Sequence, residues 1–218
     1  MLQLDNLFPV MLNLKRRKVL IVGGGSVAAR KLAALANTGA DILVVSTSFN
    51  EELLNVASCF GAQLQQLEYS ASVLEGSSLC FACTACQKTN DQVAKDCNSA
   101  GILFSRVDDQ SEMDFILPAC LRRGDLTIAV STGGASPALA KRIREWLEGE
   151  FSQQWEAGLE LLGQARQQIA AHCHDEVRRR VLLQGLGGEE AFDFLRNNDL
   201  PALKMWIGEQ VAQAKCSK

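Results

Sequence analysis

An α/β fold is what this sequence predicts, with a parallel sheet in the N-terminal half, a short hairpin in the middle and a helical C-terminal part. Three observations carry that expectation. From residue 18 to residue 107, short apolar runs alternate with segments of helical spacing, the pattern of a parallel sheet covered on both faces. The rhythm breaks after residue 110, where "DFILPACLRRGDLTIAVST" reads as two antiparallel strands meeting at Arg123-Gly124-Asp125. Beyond "GGASP" only helical spacing remains.

The elements follow in order. "KVLIV" is an apolar run before glycines, and "SVAARKLAALANTGA" has helical spacing with Gly39 as its stop. "DILVVS" is the second strand, and "NEELLNVASCFG" a helix with Asn50 as cap. "AQLQQLEY" and "SSLCFACT" are the third and fourth strands, "NDQVAKDCNSAG" a helix ending on Gly101, and "ILFSRV" the fifth strand. After the hairpin, Ser136 caps a helix whose first position is Pro137. In the tail, Phe151, Trp155, Leu159, Leu162 and Ile169 form one apolar stripe, and Gly187-Gly188 and Pro201 separate shorter helices. These breaks divide the chain into residues 1–110, 111–150 and 151–218.

Composition excludes several classes. The chain has 218 residues, 47% hydrophobic and 22% charged, with a net charge of −3, which gives no general attraction to nucleic acid or anionic membrane. No apolar run reaches the length of a membrane span. "MLQLDNLFPVMLNLKRRK" places its charges after the apolar part, the reverse of a signal peptide. A cytoplasmic protein is expected.

"VLIVGGGSVAARK" holds G-x-G-x-x-A as Gly23, Gly25 and Ala28, between a strand and a helix. In a Rossmann-type domain the first glycine permits the turn and the second lets a pyrophosphate approach. The third small residue lets helix and strand pack closely. The acid expected on the ribose is missing, since the second strand ends Val45-Ser46-Thr47-Ser48, and no Lys or Arg lies between Asp41 and Ala62. That favours NAD over NADP. Gly133-Gly134, before the helix capped by Ser136, is a second anion site or an ordinary turn.

Asp108 and Asp109 follow the fifth strand, on the side where ligands of such sheets sit. At least one of them overlooks the nicotinamide end of the groove, or else caps the next segment. "CFACTAC" has the spacing of an iron–sulfur run, but strand alternation sends Cys80 and Cys83 to opposite faces. Buried thiols are the expectation there, with Cys86 the most exposed; Cys59, Cys97, Cys120, Cys173 and Cys216 add no secreted-scaffold framework. His172 and His174 diverge on a helix and read as a surface helix end. No metal-ligand spacing is readable.

Three segments, "LFPVMLNLKRRKVLIVGGGSVAARK", "RVDDQSEMDFILPA" and "AVSTGGASPALAKRIRE", resemble in order and spacing the sirohaem-synthase precorrin-2 dehydrogenase family over residues 5 to 147. The resemblance implies oxidation of precorrin-2 to sirohydrochlorin with NAD⁺, in some members followed by Fe²⁺ insertion to give sirohaem. It also implies a homodimer with a Rossmann domain, a central dimerisation region and a helical C-terminal domain. By position it puts cofactor contacts on Ser26 and Val27, on Thr47 and Ser48, and on Thr84, and makes Asp108 the catalytic acid/base.

Three departures from the family pattern stand out: Thr84-Ala85-Cys86 replaces a common T-D-D, Ser46-Thr47 replaces Ala-Pro, and Ser131-Thr132 stands where some members have a serine pair before Gly-Gly. A tetrapyrrole rimmed with carboxylates needs cations and backbone donors, for which Arg106, Arg122, Arg123, Lys141, Arg142 and the Gly133-Gly134 turn are the candidates. Desolvation beside the nicotinamide is expected to raise the Asp108 pKa. The rival reading is a non-catalytic NAD-binding regulatory module, which needs no base at the cofactor mouth.

Overall fold

The computed structural model describes residues 7–109 and 113–215, so Cys216 lies outside the described residues. The chain divides into two compact units, Met1–Leu117 and Pro118–Lys218.

The first unit is a five-stranded parallel sheet of order β3-β2-β1-β4-β5. Its strands are β1 (Lys18–Val22), β2 (Asp41–Ser46), β3 (Gln63–Gln66), β4 (Ser77–Ala82) and β5 (Leu103–Arg106). Helices α1 (Ser26–Ala34), α2 (Glu51–Phe60) and α3 (Gln87–Ala100) connect β1 to β2, β2 to β3 and β4 to β5, and a short 3₁₀ turn, Ala71–Leu74, lies between β3 and β4. Both faces are covered, which is why the central strands carry runs of successive apolar residues, Val19–Val22, Ile42–Val45 and Leu79–Ala82, rather than alternate ones. Val19, Ile21 and Phe81 enter one core with Leu32 and Leu53. Leu20, Val22 and Cys80 enter the other with Val93 and Phe104. Each such side chain contributes roughly 1.5–3 kcal/mol on burial. The same alternation sends Cys83 to the first core and Cys80 to the second.

The chain edges differ from the sequence expectation. α1 ends at Ala34, well short of Gly39, because Thr38 Oγ1 donates to the Leu35 carbonyl at 2.7 Å and Asn37 takes a positive φ of 61°. β3 is confined to Gln63–Gln66, a short polar edge strand of the kind that discourages further pairing. The hairpin strand read from Asp114 begins only at Ala119. Asp114 instead accepts from the Phe104 N–H at 2.9 Å and returns its own N–H to the Phe104 carbonyl. Phe115 then sets its ring edge-on to Phe81 at 5.3 Å. Phe115, after the acids, therefore packs against the first core, while Leu117 stays exposed.

In the second unit β6 (Ala119–Arg123) and β7 (Leu126–Val130) pair antiparallel, and Gly124 turns between them with φ 55°. α4 (Pro137–Glu150) starts as expected, with Ser136 Oγ accepting from the Leu139 N–H at 3.2 Å. α5 (Gln154–His172), α6 (Glu176–Gly185), α7 (Glu189–Arg196) and α8 (Leu200–Lys215) follow. Trp155, Ile169 and Leu203 centre their core. Leu159 of the expected stripe stays outside it. Gly158 takes the buried place, because a Cβ there would meet Leu195 Cδ2 at 2.1 Å. Pro201 does not separate helices but sits in the first turn of α8, where its missing N–H is tolerated. The break falls before it, at Asn198 with φ 54°, and Asp199 caps α8 by accepting from the Ala202 N–H.

Candidate active site

The order of the strands reverses between β1 and β4. Crossovers leave that point in opposite directions, which opens a crevice at the carboxyl ends of the two strands. A groove of about 1020 Å³ lies there, lined among others by Gly23, Gly24, Gly25, Ser26 and Val27. Thr47 and Ser48 after β2, and Thr84 after β4, complete its walls with Cys86, Lys88, Leu67, Glu68 and Tyr69.

The three glycines do different work. Gly23 has φ 133°, and a Cβ on it would lie 2.5 Å from the Cys83 carbonyl oxygen. Gly24, which the motif treats as a free position, would put a Cβ 1.8 Å from the Ser48 carbonyl. Gly25 meets nothing within 4 Å, because its open side is the groove. It is also the N-cap of α1, with no side chain closing the helix end. The free N–H groups and the helix dipole there suit an anion. Asn50 braces the turn: its N–H donates to the Gly24 carbonyl at 2.9 Å, and its Nδ2 to Ser26 Oγ at 3.2 Å. Ala28 is fully buried against the sheet and does not line the groove. Ala28, the third position of the cofactor-binding motif, thus serves by packing and not by touching the cofactor.

Asp108 lies at the end of β5, one residue beyond Val107 on the groove wall. Its carboxylate receives a bidentate grip from Arg106, Nε to Oδ1 and Nη2 to Oδ2, both at 3.0 Å. Arg106 Nη2 also reaches Asp91 Oδ1 at 2.7 Å. Two sequence expectations fail on this cluster. Arg106 is only 4% exposed and is committed to two carboxylates, so it is not a surface cation for substrate. Asp108 is not raised in pKa but held at about 2, first by the Arg106 hydrogen bonds and further by Asn90, which outweigh desolvation. β5 stops at Arg106, so strand alternation does not extend to Asp108 and Asp109.

Buried Asn90 was not singled out from the sequence. Its Oδ1 accepts from the Thr84 N–H at 3.2 Å, and its Nδ2 donates to the Thr84 carbonyl at 3.0 Å. Asn90 and Asp91 stand on a polar stretch of α3, where nothing local distinguishes them from solvated residues. Glu68 and Lys88 were missed for the same reason. Cys86 is exposed, as expected, at the first turn of α3. The Thr89 hydroxyl and then the Thr89 N–H lower its thiol pKa, while burial pushes Cys83 up to about 11.

The remaining expected substrate residues belong to the second unit. Gly133 and Gly134 form a turn with φ 59° and 82° before α4. Arg122 and Arg142 are exposed, and Lys141 is exposed beside Glu145 at 3.7 Å. Arg123 is partly committed, donating from Nε to the Phe151 carbonyl at 2.8 Å. His172 and His174 are exposed at the end of α5 and just beyond it. Among the described residues no group of three or more His, Cys, Asp or Glu is placed to hold a metal, and no helix is long and apolar enough to cross a membrane.

A doubly wound sheet with an open glycine turn at its switch point defines a dinucleotide-binding α/β domain. The comparisons agree. The chain belongs to the NAD(P)-binding family whose model, described as "Putative NAD(P)-binding", matches residues 10–119. A second model, "Sirohaem biosynthesis protein central", matches residues 123–150. The chain is 37% identical over 190 residues to a siroheme synthase of Nitrosomonas eutropha, covering 85% of this chain and 40% of that protein. It is 31% identical over 204 residues to a siroheme synthase of Tolumonas auensis, covering 93% and 43%. It thus spans less than half the length of these curated relatives. A solved structure, "SirC, precorrin-2 dehydrogenase", superposes with a TM-score of 0.76 at 26% identity, covering 95% of this chain and 100% of that one.

Proposed function

We propose that the chain oxidises precorrin-2 to sirohydrochlorin with NAD⁺, in the cytoplasm, as a step of sirohaem synthesis. The observation that carries this reading is a carboxylate, Asp108, gripped by Arg106 two residues past β5 and next in sequence to a residue of the groove wall. A regulatory module needs no base at the cofactor mouth. The full-length likeness to a precorrin-2 dehydrogenase supports the choice of substrate.

The residues present fit the cofactor. The uncapped N-terminus of α1 and the open side of Gly25 suit a pyrophosphate, and Thr47 and Ser48 offer hydroxyls to a ribose. Bound NAD⁺ supplies a hydride acceptor. Asp108 would take the proton. Hydride loss leaves a conjugated cation whose remaining proton is strongly acidic, so a carboxylate of low pKa is base enough. Its negative charge also stabilises the developing cation. Iron insertion into the same ring would need a proton acceptor too, and a chelation assay on sirohydrochlorin, scored separately, tests it.

The direct test is NADH absorbance on mixing the protein with precorrin-2 and NAD⁺. No NADH from a folded sample rejects the reading. NAD⁺ should bind at least several-fold more tightly than NADP⁺, since Glu68 adds negative charge to a wall that offers hydroxyls after β2. Titration calorimetry with both nucleotides decides it. We also propose a homodimer through the hairpin region, whose two-stranded sheet leaves unpaired edges. Light scattering giving a monomer at micromolar concentration would contradict that.

A further inference from the structure

The groove runs along the carboxyl ends of the strands, and their order assigns a part of it to each. Asp108 lies beyond β5 on one side, and the open turn of Gly25 follows β1 in the middle. A dinucleotide with its pyrophosphate at that turn and its nicotinamide toward Asp108 extends its adenosine half over β2 and β3. Thr47 and Ser48, after β2, come first and offer their hydroxyls to the ribose. β3 lies one strand further out, roughly 5 Å, and adenine is the part of the cofactor that reaches it.

Leu67, Glu68 and Tyr69 follow β3 on the groove wall. The residues around Glu68 are fastened. Gln66 Nε2 donates to the Thr47 carbonyl at 3.1 Å and the Leu67 N–H to the Ser46 carbonyl at 3.0 Å, which ties the segment to the end of β2. On the other side the Tyr69 hydroxyl donates to Asp96 Oδ2 of α3 at 3.0 Å. Glu68 stands between these anchors with its carboxylate unspent. Among the described residues no cation pairs with it, Lys88 of the same groove included. Of the described residues that line the groove, Glu68 alone carries a carboxylate.

Carboxylate oxygens only accept, so the group that Glu68 reads must donate. On this side of the cofactor the ribose hydroxyls and the 6-amino group of adenine donate. The hydroxyls after β2 stand nearer the ribose, which leaves the amino group to Glu68. We propose that Glu68 is the specificity-determining residue for the base of the cofactor, accepting from the adenine 6-amino group with Leu67 and Tyr69 on either side. The orientation of the cofactor rests on the dehydrogenase reading given above. An acid after β3 then does for the base what the missing acid after β2 would do for the ribose.

The test is calorimetry on the full chain with NAD⁺ and two analogues. Nicotinamide hypoxanthine dinucleotide carries a carbonyl oxygen in place of the 6-amino group, and 2′-deoxy-NAD⁺ lacks a ribose hydroxyl. Wild type should prefer NAD⁺ over the hypoxanthine analogue by about tenfold, the scale of one hydrogen bond to a charged group. In Glu68→Gln, whose amide donates as readily as it accepts, that preference should fall to within about twofold of unity. The preference over 2′-deoxy-NAD⁺ should stay as in wild type. Glu68 is exposed, so the variant should melt at the wild-type temperature. An unchanged preference for adenine in Glu68→Gln overturns the proposal. So does a variant that loses the preference over the 2′-deoxy analogue instead, which would give the carboxylate to the ribose. Wild-type protein that binds the adenine and hypoxanthine dinucleotides equally overturns it as well. NADH formation from precorrin-2 is followed separately. Protein that selects adenine through Glu68 but makes no NADH rejects the dehydrogenase reading and leaves this assignment standing.

Discussion

Arg106 and Asp108 hold each other across a single intervening residue, and that pair decides what the carboxylate can do. A carboxyl held at about 2 is an anion throughout the range in which the protein works, so its availability does not depend on pH near neutrality. Asp108→Asn keeps the shape and removes the charge. Turnover should fall by about 10²–10⁴-fold, with NAD⁺ affinity close to wild type, because the residue is not on the groove wall. Wild-type rates by NADH absorbance would make the acid structural. The same variant has a signature in stability. A depressed folded pKa contributes stability that is complete above the unfolded value near 3.9 and is lost as pH falls through about 2. The contribution is at most roughly 1–2 kcal/mol, since the side chain remains 28% exposed and is partly screened. Urea melts of wild type should weaken over that acid window, and those of Asp108→Asn should lack that component. Equal slopes for both proteins would mean that the ion pair stabilises nothing.

The turn between β1 and α1 separates two demands that one glycine run disguises. Gly24→Ala drives a Cβ into the Ser48 backbone, which cannot move aside as a side chain can, so stability should drop by about 1–3 kcal/mol or more. Gly25→Val projects into open space; the fold should survive and the cofactor should not bind. Thermal melts and calorimetry on both variants check the contrast, and a Gly25→Val protein with wild-type NAD⁺ affinity would place the cofactor elsewhere. Elements like these were legible in the sequence because their signals are local. Periodic apolar runs gave the five strands, and Asn50 and Ser136 announced their helices by side-chain caps. The strand order, and with it the switch point between β1 and β4, became visible only in the fold. What stayed hidden depends on contacts far apart in the chain. The Gly24 requirement is made by Ser48, the burial of Arg106 by Asp91 and Asp108, and the return of Phe115 by Phe81. The pKa direction of Asp108 failed for the same reason. Desolvation could be guessed from position, but the opposing guanidinium was assigned to the substrate until the fold enclosed it.

At the scale of the molecule, the chain carries two self-contained cores. One is built on both faces of the parallel sheet and the other on the helices around Trp155, Ile169 and Leu203. The division falls between Leu117 and Pro118, after Phe115 has returned to the first core. All residues of the cofactor groove precede it, as do Asn90, Arg106 and Asp108. A fragment of residues 1–117 should therefore fold cooperatively, since a domain of that size buries enough surface to be stable alone. It should bind NAD⁺ within about tenfold of the full chain, or ~1.4 kcal/mol. Ending the fragment at residue 110 instead would remove Asp114 and Phe115, taking a partner from the Phe104 backbone and a ring from the core. That shorter fragment should be destabilised by about 3–5 kcal/mol, the usual cost of losing a packed phenylalanine. Urea denaturation and calorimetry on the two fragments make the comparison. Equal stability would mean that the segment after the acids is dispensable. Loss of binding in the longer fragment would mean that the second unit completes the cofactor site.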